Sequence, residues 1–461
     1  MIQLLKSGLT NTDGTYAEAR FENSQNLTVR IAGNKIAEVS HNNFKGGITR
    51  VIKDGGLAYS SFSNPEMLKE AMINAGKSAS VLGRKTGLNE KLAPYKAVKD
   101  NVKCSPEIDP RSITLEQKVE LLKKYSALCM KNPKIQTTNL VYQETVNNET
   151  FVNSEGSEIT QEILLCRIAG TIISRDGSRI EQLRISLGFD EDYGKLLNRE
   201  DIVEKRAGLA VDLLNAESPS EGVYTVICDP DLAGIFVHEA FGHLSESDHL
   251  ASNIPIREMI PIGKVIGPDY LNIVDDATIP GAPGTYAYDH EGVAGSRTSV
   301  VTNGVITDYI CSRNSASHLG RKATGNFRSS DYRFSPFVRM SNIFIDQGKC
   351  DVDEMISNMP EGLYLCGGKG GQTLGDLFTF GAAYGYRVKN GKLGAMLTNL
   401  NISGNIFDTL GNVVEVGSNL RFSEWGGCGK SRAEFYNIQM LAKSGTGSPS
   451  IKVNNVIVGG N

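Results

Sequence analysis

The hexapeptide His238-Glu239-Ala240-Phe241-Gly242-His243 constrains this chain more than any other stretch. Its neighbours read as helix, and its two imidazoles bracket a carboxylate. That is most of what a hydrolytic zinc site needs: two nitrogen ligands and a base beside the metal-bound water. The spacing is unusual, with three residues between Glu239 and His243 where the common zinc-peptidase motif has two. At about 100° per residue, positions i and i+4 lie roughly 40° apart around a helix, whereas i and i+5 lie roughly 140° apart. A straight α-helix would therefore aim the two rings in different directions. They can share a metal only where the helix is overwound, bulged or ending, and Gly242 makes such a departure cheap.

A chain of 461 residues can bury substantial cores in two or three domains. Its 48 Lys+Arg against 52 Asp+Glu give a net charge of −4, which supplies no reason to expect nucleic acid or an anionic membrane as partner. No apolar run approaches the length that spans a bilayer, and Met1–Ser7 lacks the apolar region of a secretory signal. The cysteines Cys104, Cys129, Cys166, Cys228, Cys311, Cys350, Cys366 and Cys428 are scattered without CxxC pairs. That pattern argues for a reducing cytoplasm rather than a disulfide framework, with each thiol by default a small buried hydrophobe.

The patterning predicts an α+β chain: mixed N-terminal units, then a larger strand-rich domain that carries the metal-site helix. Short strands are expected at 16–22, 27–32, 35–39, 49–52 and 56–61, separated by Asn, Gly and Asp. Helical periodicity follows over 65–82, with Met67, Leu68, Ala71, Met72, Ala75 and Ala79 on one side. Pro94, Pro106 and Pro110 mark a joint, and a second unit has a helix near 115–130, strands over about 135–188 and a helix near 201–216. Ser218-Pro219-Ser220 marks the next joint. The expected domains are 1–100, 101–219 and 220–461.

A catalytic zinc site takes three protein ligands and keeps one open position. Beyond the hexapeptide the histidines are His41, His249, His290 and His318. His249 has the third-ligand spacing of metzincins, but Glu246 stands where those sites place a glycine. Cys428 lies in the Gly-flanked turn Trp425-Gly426-Gly427-Cys428-Gly429-Lys430, and a thiolate suits zinc. Trp425, the sole tryptophan, is a candidate pocket wall, partner surface or core residue. Gly367–Gly371 and Gly429-Lys430-Ser431 both fail the spacing of a phosphate-binding loop, so they read as turns and close backbone packing.

These residues, with Glu246 and Asp248 after the hexapeptide, resemble the signature of the TldD/PmbA family, in its TldD branch. The resemblance extends in order through Tyr16–Arg20, Gly284–Gly292, Thr324–Asn326, Arg339–Asn342, Gly370–Gln372, Ile402–Asn405, Cys428–Lys430 and Val458–Gly460. It implies a cytoplasmic zinc peptidase in which His238, His243 and Cys428 bind Zn2+ and Glu239 is catalytic. It also implies a partner: a PmbA-like chain, or a second copy of itself as a dimer, enclosing a site that only unfolded peptide enters. Two departures from the family pattern stand out. Ser247 replaces the usual glycine between Glu246 and Asp248, and Ser431-Arg432-Ala433 replaces Asp-Gly-Gln after Cys-Gly-Lys.

Glu239 is then expected to act as general base on the activated water and to return the proton to the leaving amine. Glu246 or Asp248 is expected to orient a ligand imidazole, and His290 to face the oxyanion. The substrate is expected to lie extended along a strand edge. The competing readings are ordinary core histidines, a structural zinc site, and a non-catalytic PmbA-like binding or assembly subunit. The complete set His238, Glu239, His243 and Cys428 argues against a relic. Modulation of DNA gyrase, an old label for this family, gains no support as direct DNA binding from a near-neutral chain.

Overall fold

The computed structural model describes residues 1–424, 427–431 and 439–459, with backbone alone at Ser252, Lys430, Ser431 and 439–442. Trp425, Arg432, Ala433 and Gly460 lie outside the described residues.

After the short helix α1 (Ile2–Leu9), the chain forms β1 (Tyr16–Ala32), β2 (Lys35–Lys53) and β3 (Gly56–Phe62). The β2–β3 turn is Asp54-Gly55, with φ of 53° and 79°, the two-residue turn whose left-handed positions match strand twist. Helix α2 (Leu68–Thr86) buries Leu68, Ala71, Met72, Ala75 and Ala79 of the expected face. Met67 is corrected: it ends the preceding 3-10 turn opened by Pro65 and is exposed. Then follow β4 (Lys99–Val102), α3 (Leu115–Cys129), β5 (Ile135–Asn153), β6 (Glu158–Asp176), β7 (Arg179–Asp190) and α4 (Glu200–Asp212). Thr114 and Gln117 start α3 with a reciprocal capping box.

The expected short strands are corrected here. Residues 16–32 and 35–53 are two long strands, not four short ones. The polar run Asn23–Asn26 continues as strand because its backbone is paired on both sides, Ser24 facing Phe44 of β2 and Asn147 of β5. Both N-terminal units thereby contribute to one seven-stranded sheet, ordered β3-β2-β1-β5-β6-β4, with β7 on the remaining length of β6.

From residue 222 two further sheets form. In the first, β8 (Gly222–Cys228) pairs with strands 361–374 and 451–459. Strand 451–459 pairs with 400–405, which pairs with 377–389, and that strand returns to 361–374. These pairings close a ring of five strands. The second sheet has the order 305–306, 297–302, 273–276, 342–345, 445–448, 421–422. Helix α5 (Pro230–Val237) packs between the two, against strand 361–374 on one side and strands 342–345 and 445–448 on the other. Phe236 anchors it, its ring 5.6 Å from Phe378 and 5.9 Å from Phe380. No helix among the described residues is long and apolar enough to cross a membrane.

The N-terminal sheet meets the C-terminal domain through buried charge. Arg50, 1% exposed, reaches Glu18 at 2.6 Å and Glu291 at 2.9 Å. Arg313, fully buried, donates to the carbonyl of Ala93 and pairs with Glu155. Removing one member of such a pair strands its partners in low dielectric. Arg50→Met should therefore lower unfolding stability by about 3–5 kcal/mol in denaturant titration, and a loss under about 1 kcal/mol would contradict this role.

Candidate metal centre

The site begins at the start of α5. Asp229 caps the helix by accepting from the Leu232 N–H at 2.9 Å, and it also takes the Gly367 N–H at 3.0 Å, tying helix to ring strand. Pro230 at the first helical position needs no N–H partner there. At its other end α5 does not stop but widens into a π-turn over His238–Gly242. The N–H of His243 bonds to the carbonyl of His238 at 3.3 Å, five residues back. This is the local departure that the spacing demanded, and it is an underwound bulge rather than an overwound turn. The extra residue per turn brings the two rings to the same side, 4.9 Å apart between centroids and at 81° to one another. Gly242 lets Met340 pack closely on the turn: a Cβ there would sit 2.2 Å from the Sδ of that buried side chain, whose flexible end would have to move.

Cys428 arrives from far along the chain, on the first residue of a two-stranded hairpin, 428–431 with 439–442. Its Sγ lies 2.9 Å from Nε2 of His238 and 3.4 Å from Nε2 of His243. The three donor atoms fall within 4.8 Å of one another, a group that can hold a metal ion. The buried Arg339 fixes the cysteine backbone, its Nη2 donating to the Cys428 carbonyl at 2.6 Å. Burial alone would push the Cys428 thiol up, but the adjacent imidazoles hold it well below the usual thiol range. Burial alone would push His243 down, yet the Glu246 carboxylate and the Cys428 sulfur raise it to about 10.

Glu246 lies beside His243. Fully buried, its Oε2 lies 3.2 Å from Nδ1 of His243. Asp248 lies in the first turn of the next helix (Ser247–Ser252), and its Oδ1 accepts the His249 N–H. Ser247, the departure from the family pattern, is buried and hydrogen bonds Ser315. His249 is exposed and lines the same cavity as the His-His-Cys group without belonging to that group.

His290 is corrected. It lies in a separate cavity against the N-terminal sheet, where its Nδ1 accepts the Ser329 N–H at 3.0 Å and its Nε2 sits 3.6 Å from Glu149. Burial, then the nearby Arg20 and Arg328, hold it well below the usual imidazole range. The residues around His290 form the domain joint, so its place in a motif-rich loop did not translate into a place near the metal group.

Glu239 sits at the floor of a cavity of about 710 Å³ that His238, His243 and Cys428 also line. Thr373 holds it: the Thr373 Oγ1 is 3.0 Å from Glu239 Oε2 and 2.7 Å from the Glu239 carbonyl. Gly371 leaves room for it, since a Cβ there would meet Glu239 Cγ at 2.7 Å. Thr373 and Arg339 were not singled out by sequence reasoning. Arg339 does fall inside a segment resembling the TldD/PmbA family, but neither segment nor spacing shows what the guanidinium touches.

Two imidazoles and a thiolate converging beside a buried carboxylate, at the base of a cavity, are the groups of a metallohydrolase site. Models of the PmbA/TldA metallopeptidase domain 1, central domain and C-terminal domain match residues 17–80, 108–214 and 221–460. This chain belongs to the TldD/PmbA family of metallopeptidases. It is 33% identical over 457 residues to a metalloprotease of Synechocystis sp., covering 98% of this chain and 96% of that one. It is 30% identical to a zinc metalloprotease TldD homolog of Saccharolobus solfataricus, covering 78% and 79% of the two chains. Its fold matches that of TldE from Thermococcus kodakarensis with a TM-score of 0.77 at 20% identity, over 99% of each chain.

The π-turn makes a direct prediction. Gly242→Ala must displace Met340 or the turn, an overpacking cost of about 1–3 kcal/mol. Zinc affinity, measured by competition with a colorimetric chelator, should fall by about tenfold or more. Unchanged affinity would show that the turn does not set the ligand geometry.

Proposed function

We propose that this chain is a zinc-dependent peptidase that hydrolyses unfolded or short peptides, with Glu239 as general base. The observation that carries this reading is the convergence of His238, His243 and Cys428 beside Glu239 in one cavity. The donor set fits zinc. Tetrahedral coordination with ordinary Zn–N and Zn–S bonds spaces nitrogen and sulfur donors about 3.5 Å apart. The 3.4 Å separation from His243 is near that value, and the 2.9 Å separation from His238 is shorter. Cys428 is already favoured as the thiolate that zinc takes. Glu246 would fix the tautomer of His243, leaving Nε2 to ligate.

When bound, zinc supplies an acidified water and polarises the scissile carbonyl. The rest is work for the chain. Glu239 accepts the proton of the attacking water and carries it to the leaving amine, so one carboxylate serves both as base and as acid. The Thr373 hydroxyl steadies that carboxylate. The ring strand at 367–373 forms one wall of the cavity, and beyond Leu365 its only strand partner among the described residues is 377–389. Its other backbone edge is where an extended peptide would pair, which grips main chain and leaves side chains largely unread. Such binding suits unfolded chains. We assign the enzyme to the cytoplasm, from its cysteine usage. We further assign it a dimeric assembly, with a PmbA-like partner or a second copy. The likeness to TldE in fold is consistent with a family built of such related chains.

Glu239→Gln should retain zinc by metal analysis while cleavage of an unstructured peptide, followed by mass spectrometry, drops by at least about 100-fold. Full activity in that variant would sink the assignment of the base.

A further inference from the structure

A second cavity, of about 650 Å³, lies between the N-terminal sheet and the C-terminal domain. Its size is that of small-molecule sites. Its lining includes Arg328 and Lys443. Arg328 is 6% exposed, stacked at 4.5 Å over the Tyr286 ring. Two of its nitrogens donate to backbone carbonyls, those of Lys443 and Met340, and its Nε has no partner. Neither Arg328 nor Lys443 makes an ion pair among the described residues. The Lys443 side chain is only partly exposed; its ammonium lies 6.0 Å from the centre of the Phe189 ring. Burial first, and then the charge of Arg328, push that ammonium below the usual lysine range.

The acids in the same lining do not answer these cations. Glu22 and Glu149 are taken by Arg20, and Glu162 by Arg111. Glu191 is exposed, and it and Asp190 act on Lys443 only at a distance. Arg328 is buried and Lys443 half-buried. The carboxylate that feels the charge of Arg328 is the buried Asp275, already hydrogen bonded to Ser341 and Asn326. Cations without an ion-pair partner among the described residues favour an anion that completes them. We infer that the second cavity is a binding site for a small anionic ligand, whose carboxylate or phosphate group lies against Lys443 and Arg328. The cavity accommodates a short peptide ending in a free carboxylate, and the same cations would take a free inorganic anion. The half-buried Lys443 offers the charge-assisted bond, and Arg328, its Nε buried and its other nitrogens on backbone carbonyls, adds its charge.

This site stands back to back with the metal cavity. Lys443 lines the one and Ser444 the other, and the Ser444 carbonyl accepts the N–H of Gly427 beside Cys428. The inference rests on these cations alone and does not depend on the peptidase reading.

The test is calorimetric titration of the zinc-loaded full chain carrying Glu239→Gln, so that the probe is not consumed. The probes are N-acetyl-trialanine, the same peptide as its C-terminal amide, and inorganic phosphate. The acid should bind at least about tenfold more tightly than the amide. That preference should vanish in Lys443→Met and return in Lys443→Arg, with Lys443→Gln as a second neutral variant should the methionine not fold. Phosphate binding that needs Lys443, without an acid preference, would support the anion site with a free anion as its occupant. No binding by any probe, or affinities that ignore the charge at Lys443, would overturn it.

Discussion

The hydrogen bond from the His243 N–H to the His238 carbonyl is the constraint on which the site depends. In an ordinary helix that N–H would bond four residues back, and the two imidazoles would diverge. Inserting one residue into the turn rotates His243 onto the face of His238, and a π-turn of this kind is stable only when packing holds it. Here the surroundings hold it closely. Phe241 is buried in the core, Gly242 gives way to Met340, and the Ser245 hydroxyl closes the turn by donating to the Gly242 carbonyl. The ring of strands behind α5 and the second sheet in front of it form the clamp.

The distant parts of the chain reach the site through backbone as much as through side chains. Arg339 holds the carbonyl of Cys428, and Arg328 holds the carbonyl of Met340, the residue packed on Gly242. The N-terminal sheet is locked to the same domain by Arg50, Glu18 and Glu291. Buried charge of this sort adds little net stability, but an arrangement that separates the partners leaves them uncompensated in low dielectric. A metal group whose ligands lie 190 residues apart gains from a frame with few alternatives.

The reach of the sequence follows the range of the interactions involved. The hexapeptide states its own geometric conflict, so a bulged helix could be expected, although not that it would be a π-turn. The apolar face of α2 is local and was legible. The α+β class was legible from the alternation of patterns. The continuity of β1 through Asn23–Asn26 was not, because it is decided by β2 and β5 on either side. His290 was misplaced for the same reason: its neighbours Glu149 and Ser329 are brought to it by the fold. Cys428 was joined to the histidines only through a resemblance, since no local pattern spans that interval. The hold of Thr373 on Glu239 depends on a hairpin crossing the π-turn, which no spacing announces.

The most direct measurement of the central claim is X-ray absorption spectroscopy at the zinc edge on the purified, zinc-loaded protein. The account predicts a first shell of two imidazole nitrogens and one sulfur, with a remaining light-atom position, and loss of the sulfur contribution in Cys428→Ser. A shell without sulfur, or one with four protein ligands and no exchangeable position, would contradict it.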